Sequence, residues 1–289
     1  MHAINYEAPS TLEQAVSILK AHGEKARPFC GGTDIIIQLR AGVRRTEHLV
    51  DVKKIKELRS LSFDPKKGLR LGAAVQCIEI HESEMMHRYY PGLTEAAHLI
   101  GSLQIQNRAS VGGNLCNGSP AADTTPSLIA LGAKARIVGA KGEREVPVES
   151  FVVSPGRTVL EPGELLVELL IPPPAPHSSD AYLRFIPRNE MDIAVVGVGA
   201  AVTFDGEKIK SARIGLAAVA ATPLVATKAA ESLAGKKLDD ASLAEAGRLA
   251  SECTSPIDDM RGTAEYRRHI TGVLTRRVLA IAAERAKKN

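Results

Sequence analysis

The sequence predicts an α+β protein built from two or three compact units. A chain of 289 residues is too long for a single minimal core. A proline-rich segment at residues 172–179 divides the chain, because proline removes backbone donors and stiffens an extended connection. After this segment, three predicted strands precede three predicted helices, an order typical of a compact α+β unit.

The first section predicts a short helix followed by two strands. Ser10 or Thr11 can cap the helix, and Gly23 can end it. Apolar side chains at helical spacing give the helix one buried face. The strands are expected over residues 26–29 and 48–52.

The second section begins near Ile55 and mixes strands with helices. We expect strands over residues 69–73, 134–138 and 144–148, helices over 78–89, from Pro91 and over 128–131, and a glycine-, serine- and asparagine-rich stretch over 110–123. After the proline-rich segment we expect strands over 182–187, 193–204 and 211–219, then helices over 223–234, 243–253 and from residue 261.

The composition is that of a soluble globular protein with an aliphatic core. Hydrophobic residues make up 44% of the chain and charged residues 24%, whereas aromatic residues make up only 3% and Trp is absent. The net charge of +4 is spread too diffusely for a nucleic-acid partner. Basic pairs such as Arg267-Arg268 near the C-terminus are typical of a solvated helix face.

The spacing of cysteine and histidine argues against a metal site in this chain. Cys30, Cys77, Cys116 and Cys253 are far apart and cannot hold an iron–sulfur cluster locally, and the eight histidines have no ligand spacing. Disulfides are not suggested, the N-terminus lacks a secretory signal, and no apolar run reaches the length of a membrane span. We therefore expect a cytoplasmic protein with no membrane span.

Two glycine-rich loops are the strongest functional signal. They are Cys30-Gly31-Gly32-Thr33-Asp34 and Ser110-Val111-Gly112-Gly113-Asn114. Adjacent glycines let the backbone approach a ligand closely, and consecutive N–H groups in such a turn bind anions. Either loop alone could be only a tight turn. Together with the polar residues 117–123, they suggest a site for a pyrophosphate.

Two other nucleotide sites are excluded. The phosphate-binding loop Gly-x-x-x-x-Gly-Lys-Ser/Thr is absent. Gly197-Val198-Gly199 follows a predicted strand but lacks the third glycine of a dinucleotide fingerprint, and it continues into more strand. A Rossmann site needs a helix at that point, because the helix N-terminus holds the pyrophosphate.

Five segments resemble the flavin domain of molybdopterin dehydrogenases, in the expected order over nearly the whole chain. They are residues 28–34, 106–114, 119–123, 188–194 and 259–267. The resemblance implies a vanillyl-alcohol-oxidase (PCMH)-type FAD-binding domain with two subdomains, here residues 1–54 and 55–174. It also implies a C-terminal α+β domain, residues 180–289, with a three-stranded antiparallel sheet and helices.

By position, the resemblance also implies a set of FAD-binding residues. Ile100 and Gly101 would lie near the cofactor, and Asp123 would contact its ribityl or ribose hydroxyls. Val167 and Arg184 would lie near the isoalloxazine, although Arg184 replaces a lysine found in some relatives. The pyrophosphate would be held by Pro28, Phe29, Cys30, Gly31, Gly32, Thr33, Asp34 and Ile35 from the first loop, and by Ser110, Val111, Gly112, Gly113 and Asn114 from the second.

The resemblance implies a division of labour between subunits. A large partner would carry the molybdenum cofactor and a small partner two [2Fe-2S] clusters, in a dimer of heterotrimers. Electrons would pass from the clusters through noncovalent FAD to NAD, oxygen, a quinone or another acceptor. No catalytic residue for substrate oxidation is expected in this chain, because the flavin carries the redox chemistry here.

Two alternatives remain open. A self-sufficient flavin oxidase of the same fold would act directly on substrate and would usually link the flavin to a histidine or cysteine. Cys30 and Cys116 could be imagined in that role, but a small buried packing residue is favoured for both. A cofactor-free assembly subunit would hold nothing between its loops.

Overall fold

The computed structural model describes residues 3–289. Residues 1 and 2, which begin the predicted unit 1–54, lie outside the described residues.

The first part of the chain forms a parallel sheet with a helix at each crossover. Thr11 caps the first helix by accepting a hydrogen bond from the Gln14 N–H, and Gly23 ends it at a φ of 50°. The elements are β1 (Asn5–Glu7), α1 (Leu12–His22), β2 (Ala26–Phe29), α2 (Ile35–Arg40) and β3 (His48–Asp51), with strand order β1-β3-β2.

The middle part forms a five-stranded antiparallel sheet, with strand order β4-β5-β10-β6-β7, and six helices. Strands β8 and β9 make a separate two-stranded sheet. The elements are β4 (Leu61–Asp64), β5 (Gly68–Gly72), α3 (Cys77–His81), α4 (Glu84–Tyr89), α5 (Pro91–His98), α6 (Leu103–Gln106), α7 (Val111–Cys116), α8 (Thr124–Ala130), β6 (Lys134–Gly139), β7 (Gly142–Pro147), β8 (Val152–Ser154), β9 (Arg157–Thr158) and β10 (Leu165–Ile171).

The last part forms an antiparallel sheet with strand order β11-β12-β13-β14, covered by helices. Its strands are β11 (Ser178–Phe185), β12 (Val196–Asp205), β13 (Lys208–Ala217) and β14 (Leu224–Val225), and its helices are α9 (Thr227–Glu231), α10 (Asp240–Glu252) and α11 (Ala264–Ala286). Strand β11 begins two residues before residue 180, where the C-terminal domain is predicted to start. The division into 1–54, 55–174 and 180–289 stays a prediction.

The structure differs from the expected elements at several places, and it adds strands that were not expected, among them β1, β4 and β10. The helix expected over residues 78–89 is two helices, because the Ser83 hydroxyl accepts the Met86 N–H at 3.4 Å and begins α4. The glycine-rich second loop is largely helix α7, capped by Ser110. The C-terminal sheet has a fourth strand, β14, which is only two residues long and therefore gave no alternating pattern.

The expectation that the C-terminal basic pairs lie on a solvated helix face is wrong for Arg267. This side chain is only 3% exposed. Its guanidinium donates to the backbone oxygens of Val195 (2.8 Å) and Ala218 (3.1 Å) and to Asp259 (2.6 Å). Arg267 therefore joins the start of α11 to the C-terminal sheet, where hydrogen bonds compensate its burial.

Helix α8 packs the middle part of the chain directly against the C-terminal sheet. A Cβ at Gly199 would lie 2.6 Å from the Pro126 carbonyl carbon, and one at Gly215 would lie 2.4 Å from the Pro126 carbonyl oxygen. Only glycine allows the helix backbone to approach both strands this closely.

No helix in the described part of the chain is long and apolar enough to cross a membrane.

A buried carboxyl lies at the same junction. Asp180 on β11 is 2% exposed and accepts the Leu93 N–H of α5 at 3.2 Å. Burial raises the pKa of Asp180 from 3.8 to about 7, although backbone hydrogen bonds from α5 oppose the shift. The folded chain therefore holds a proton that the unfolded chain releases, so the free energy of unfolding falls as the pH rises from about 4 to about 7.

We expect Asp180→Asn to remove this fall in the free energy of unfolding with rising pH. The amide keeps an oxygen that accepts the Leu93 N–H, and it carries no charge. The quantity to compare is the Tm of the variant minus the Tm of the unsubstituted chain. This difference should be about 3 °C or more larger at pH 8 than at pH 5, since about 1 kcal/mol moves Tm by about 2–4 °C at this size. Thermal unfolding followed by circular dichroism measures it. Asp205→Asn, at an exposed acid, is the control. An equal difference at both pH values would contradict the prediction.

Candidate functional site

A cleft of about 520 Å³ lies between the first and middle parts of the chain. Both glycine-rich segments line it, as do Ile100 and parts of β9 and β10. The predicted site residues that the structure brings together here are Pro28, Cys30, Gly31, Gly32, Thr33, Asp34, Ile35, Ile100, Ser110, Gly112, Gly113 and Asn114.

The first loop touches the chain just before the second one. An added Cβ at Gly31 would lie 1.9 Å from the Arg108 carbonyl oxygen, so no larger residue fits without moving one of the two backbones. Gly32 has a φ of 80°, a conformation that side chains rarely adopt. The Cys30 Sγ and the Ser110 Oγ are 3.6 Å apart. The two segments therefore form one continuous wall.

The second segment is a helix start that faces the cleft. The Ser110 hydroxyl accepts the Gly113 N–H at 3.0 Å. An added Cβ at Gly112 would lie 2.5 Å from the Ala73 carbonyl oxygen, so glycine lets α7 pack against the end of β5. The Asn114 Oδ1 accepts the Thr124 N–H at 3.3 Å and its hydroxyl at 2.7 Å, which ties α7 to α8.

Backbone donors along this wall are available to a ligand. In the part of the chain that the structure describes, the N–H groups of Gly32, Thr33 and Asp34 donate to no protein acceptor. Val111 and Gly112 begin α7, and the first N–H groups of a helix have no partner within it. Open backbone donors that line one cleft suit an anion. The N–H groups of Gly32, Thr33, Asp34, Val111 and Gly112 together form a cradle that fits a diphosphate.

Other side chains hold the first loop in place. The Lys53 ammonium donates to the Cys30 carbonyl oxygen at 3.0 Å and to Asp51 at 2.7 Å. It also lies 4.5 Å from the centre of the Phe29 ring. Tyr6 donates to Asp51 from the other side. Phe29, which does not line the cleft, thus supports the loop from behind.

The thiols at the site are not activated. Burial raises the pKa of Cys30, and its hydrogen bond with Ser110 only partly opposes this. Burial also raises the pKa of Cys116 to about 12. The thiolate is the nucleophilic form, and burial disfavours it at both sulfurs.

Charged side chains of both signs line the remaining cleft walls. They are Arg27, Arg44 and Arg157, and Glu24, Asp34, Glu161 and Glu164. Burial and the positive charge of Arg27 lower the pKa of Arg44, which donates to the Gly156 carbonyl oxygen at 3.1 Å. The Arg144 guanidinium holds the pKa of Glu164 below its usual range.

Asp123 and Arg184 lie together, but they do not line this cleft. The Arg184 guanidinium contacts Asp123 at 2.8 Å, and the Tyr182 hydroxyl donates to the same carboxylate at 2.8 Å. Burial raises the pKa of Asp123, although Arg184 opposes the shift. The buried Arg184 Nε has no hydrogen-bond partner among the described residues. Their predicted contacts with FAD stay predictions.

The other predicted residues outside the cleft are Gly101, Val111 and Val167. Gly101 has a φ of 57° and follows Ile100 in a turn. Val111 is 1% exposed and packs in the core of the middle part. Val167 is fully buried, and its carbonyl oxygen accepts the Ala73 N–H at 2.9 Å. Any contact between Val167 and a flavin stays a prediction.

Sequence reasoning missed the cleft wall formed by residues 156–158 and 160–166, and the arginines Arg27, Arg44 and Arg157. These residues lie on short turns or strand ends with no motif of their own. The local signals were Pro155-Gly156 and Pro162-Gly163, which mark turns but not what the turns face. Their position depends on long-range packing.

Two family models cover most of the chain. Residues 2–174 match the FAD binding domain in molybdopterin dehydrogenase. Residues 181–282 match the CO dehydrogenase flavoprotein C-terminal domain. The first model alone covers more than half of the chain, and it contains both glycine-rich segments.

Similar proteins agree with these models. A xanthine dehydrogenase FAD-binding subunit from Escherichia coli is 32% identical over 98% of this chain and 97% of its own length. The carbon monoxide dehydrogenase medium chain of Afipia carboxidovorans is 34% identical over 99% of this chain and 98% of its own.

Solved structures of similar proteins share the fold. A Cu,Mo-CO dehydrogenase in its cyanide-inactivated form gives a TM-score of 0.94 at 33% identity and covers 98% of this chain and 99% of its own. Quinoline 2-oxidoreductase from Pseudomonas putida 86 gives a TM-score of 0.91 at 28% identity, over 99% and 98% of the two chains. The predicted fold class is confirmed. This chain belongs to the family of FAD-binding medium subunits of the molybdenum hydroxylases.

Proposed function

We propose that this chain holds FAD noncovalently in the cleft between its two glycine-rich segments. The observation that carries the proposal is the set of N–H groups of Gly32, Thr33 and Asp34, which have no acceptor among the described residues and belong to residues that line the same cleft as the start of α7. A pyrophosphate there accepts hydrogen bonds from both segments and lies near two helix N-termini. The protonated thiols of Cys30 and Cys116 favour noncovalent binding.

The residues of this chain bind and orient the cofactor. FAD supplies the electron-accepting and electron-donating chemistry when it is bound. Gly31 and Gly32 bring the first loop within reach, Ser110 fixes the start of α7, and Lys53 anchors the loop from behind. Ile100 and Leu166 line an apolar part of the cleft that excludes water. No residue of this chain is assigned a role in oxidising a substrate.

We further propose that the chain passes electrons from [2Fe-2S] clusters in a small subunit to an external acceptor. A large subunit would carry the molybdenum cofactor, in a dimer of heterotrimers in a reducing, cytoplasmic compartment. Support comes from the similarity to a carbon monoxide dehydrogenase medium chain and to a chain in the structure of a Cu,Mo-CO dehydrogenase. All four cysteines are free thiols, and none belongs to a potential metal-binding group among the described residues.

Exposed apolar side chains offer surfaces for such partners. Ile37 is 65% exposed, Ile257 is 70% exposed and Met260 is 93% exposed. Burial of such groups in an interface is favourable because it removes apolar area from water.

The direct test is a visible spectrum of the purified chain. We expect flavin absorption bands, release of the flavin by acid, and no bleaching when small alcohols are added to the isolated chain. Co-purification with iron–sulfur and molybdenum subunits is expected when neighbouring genes are co-expressed. A colourless chain would instead indicate an assembly subunit, and flavin retained after acid would indicate a covalent oxidase.

A charge placed in the cradle should displace FAD. In Gly113→Asp the carboxylate would face the pyrophosphate, and two like charges about 4 Å apart repel by about 1–4 kcal/mol near a protein surface. We expect FAD affinity to fall tenfold or more, measured by fluorescence titration of the flavin-stripped chain. Gly113→Ala is the size control, since its Cβ meets only the Ser110 Oγ at 3.0 Å. Equal losses in both variants would show that the charge has no effect.

The contact between the two segments should tolerate no side chain. Gly31→Ala places a Cβ against the Arg108 backbone, so we expect a loss of about 1–3 kcal/mol in stability together with weaker FAD binding. Thermal unfolding and flavin titration measure both effects. Gly262→Ala is the matched control, because its Cβ would have ordinary contacts of 3.4 Å or more. Unchanged FAD affinity in Gly31→Ala would contradict the role of this contact.

A further inference from the structure

Two histidines and one glutamate converge at the edge of the N-terminal sheet, outside the FAD cleft. Glu7 lies on β1, His22 is the last residue of α1, and His48 begins β3. Strands β1 and β3 are parallel, with Asn5 opposite His48, so Glu7 lies two residues along β1 on the same face. The fold therefore brings together three side chains that are distant in sequence.

The ligand atoms of these three residues already lie close together. One such atom from each residue lies within 4.8 Å of the other two. The His48 Nδ1 and a Glu7 carboxylate oxygen are 3.4 Å apart. Bonds of about 2.0–2.1 Å to a tetrahedral Zn²⁺ put neighbouring ligand atoms about 3.4 Å apart. The Glu7–His48 pair therefore has the spacing of two ligands of one ion.

The His48 nitrogen is also an unsatisfied buried group. The His48 side chain is 13% exposed, and its Nδ1 makes no hydrogen bond among the described residues. The His22 ring stacks on the His48 ring with a centroid distance of 3.6 Å and an interplanar angle of 19°. To bind an ion shared with His48, the half-buried His22 ring would have to turn out of this stack. A buried polar atom without a partner is costly unless something binds it.

We propose that Glu7, His22 and His48 form a binding site for a divalent transition-metal ion such as Zn²⁺. Two imidazole nitrogens and one carboxylate oxygen are a ligand set suited to zinc, and a water completes the fourth position. Mg²⁺ and Ca²⁺ are disfavoured because they prefer oxygen ligands throughout. The ion joins α1 to β1 and β3, and its role is structural. The site does not depend on the proposed FAD function.

The chain contains a natural control cluster. His81 stacks on His98 with a centroid distance of 3.8 Å, and His87 lies 5.5 Å from His81 between ring centroids. This second cluster does not form a convergent set of three ligand atoms among the described residues. His98→Gln thus removes one histidine of a stacked pair without touching the proposed site.

The test is calorimetric titration of Zn²⁺ into the chelator-treated full-length chain, with and without FAD. We expect one saturable site whose affinity falls tenfold or more in His22→Gln and in His48→Gln but not in His98→Gln, because each of the first two loses a ligand. Co²⁺ replacing Zn²⁺ should give the visible bands of a tetrahedral site.

Several results would overturn the proposal. They are the absence of saturable binding, wild-type affinity in both ligand variants, and an equal loss in His98→Gln. The first would leave an ordinary ion pair between Glu7 and His48, and the second would place the zinc elsewhere in the chain. If His48→Gln does not fold, His22→Gln decides, because its side chain lies at the end of a helix. Because Zn²⁺ is titrated both with and without FAD, a chain that binds no Zn²⁺ can be told apart from a chain that binds no FAD.

Discussion

The backbone of the first loop lies against the carbonyl oxygen of Arg108, and the site depends on this contact. A Cβ at Gly31 would be 1.9 Å from that oxygen, so the approach exists only because the residue has no side chain. The contact brings the open N–H groups that follow Gly31 to the start of α7. Without it the two segments would be separate turns, and neither alone could hold two phosphates.

The same packing continues from the cleft to the C-terminal sheet. Asn114 in α7 accepts two hydrogen bonds from Thr124, the first residue of α8. Two residues further on, the Pro126 backbone lies so close to β12 and β13 that only glycine fits at the facing positions of these strands. A displacement of the second segment must therefore be absorbed by α8 or by the C-terminal sheet.

Much of the fold could be predicted from local patterns. The cap at Thr11 and the stop at Gly23 bounded α1, and alternation identified β5 and β6. The glycine pairs located the part of the cleft that the two glycine-rich segments line. Residues whose position depends on distant partners could not be predicted: Arg157 lies on a two-residue strand, and the burial of Arg267 depends on carbonyl groups far away in sequence. The convergence of Glu7, His22 and His48 likewise requires the strand order β1-β3-β2.

Hydrogen–deuterium exchange of the flavin-loaded chain against the flavin-stripped chain tests the account most directly. If FAD lies in the cradle, the amides of Gly32, Thr33, Asp34, Val111 and Gly112 should gain the strongest protection, because a bound pyrophosphate then gives these open N–H groups an acceptor. Peptides from the exposed β12–β13 turn at Gly206 should not change. Protection confined to the C-terminal sheet, with none at the two glycine-rich segments, would contradict the account.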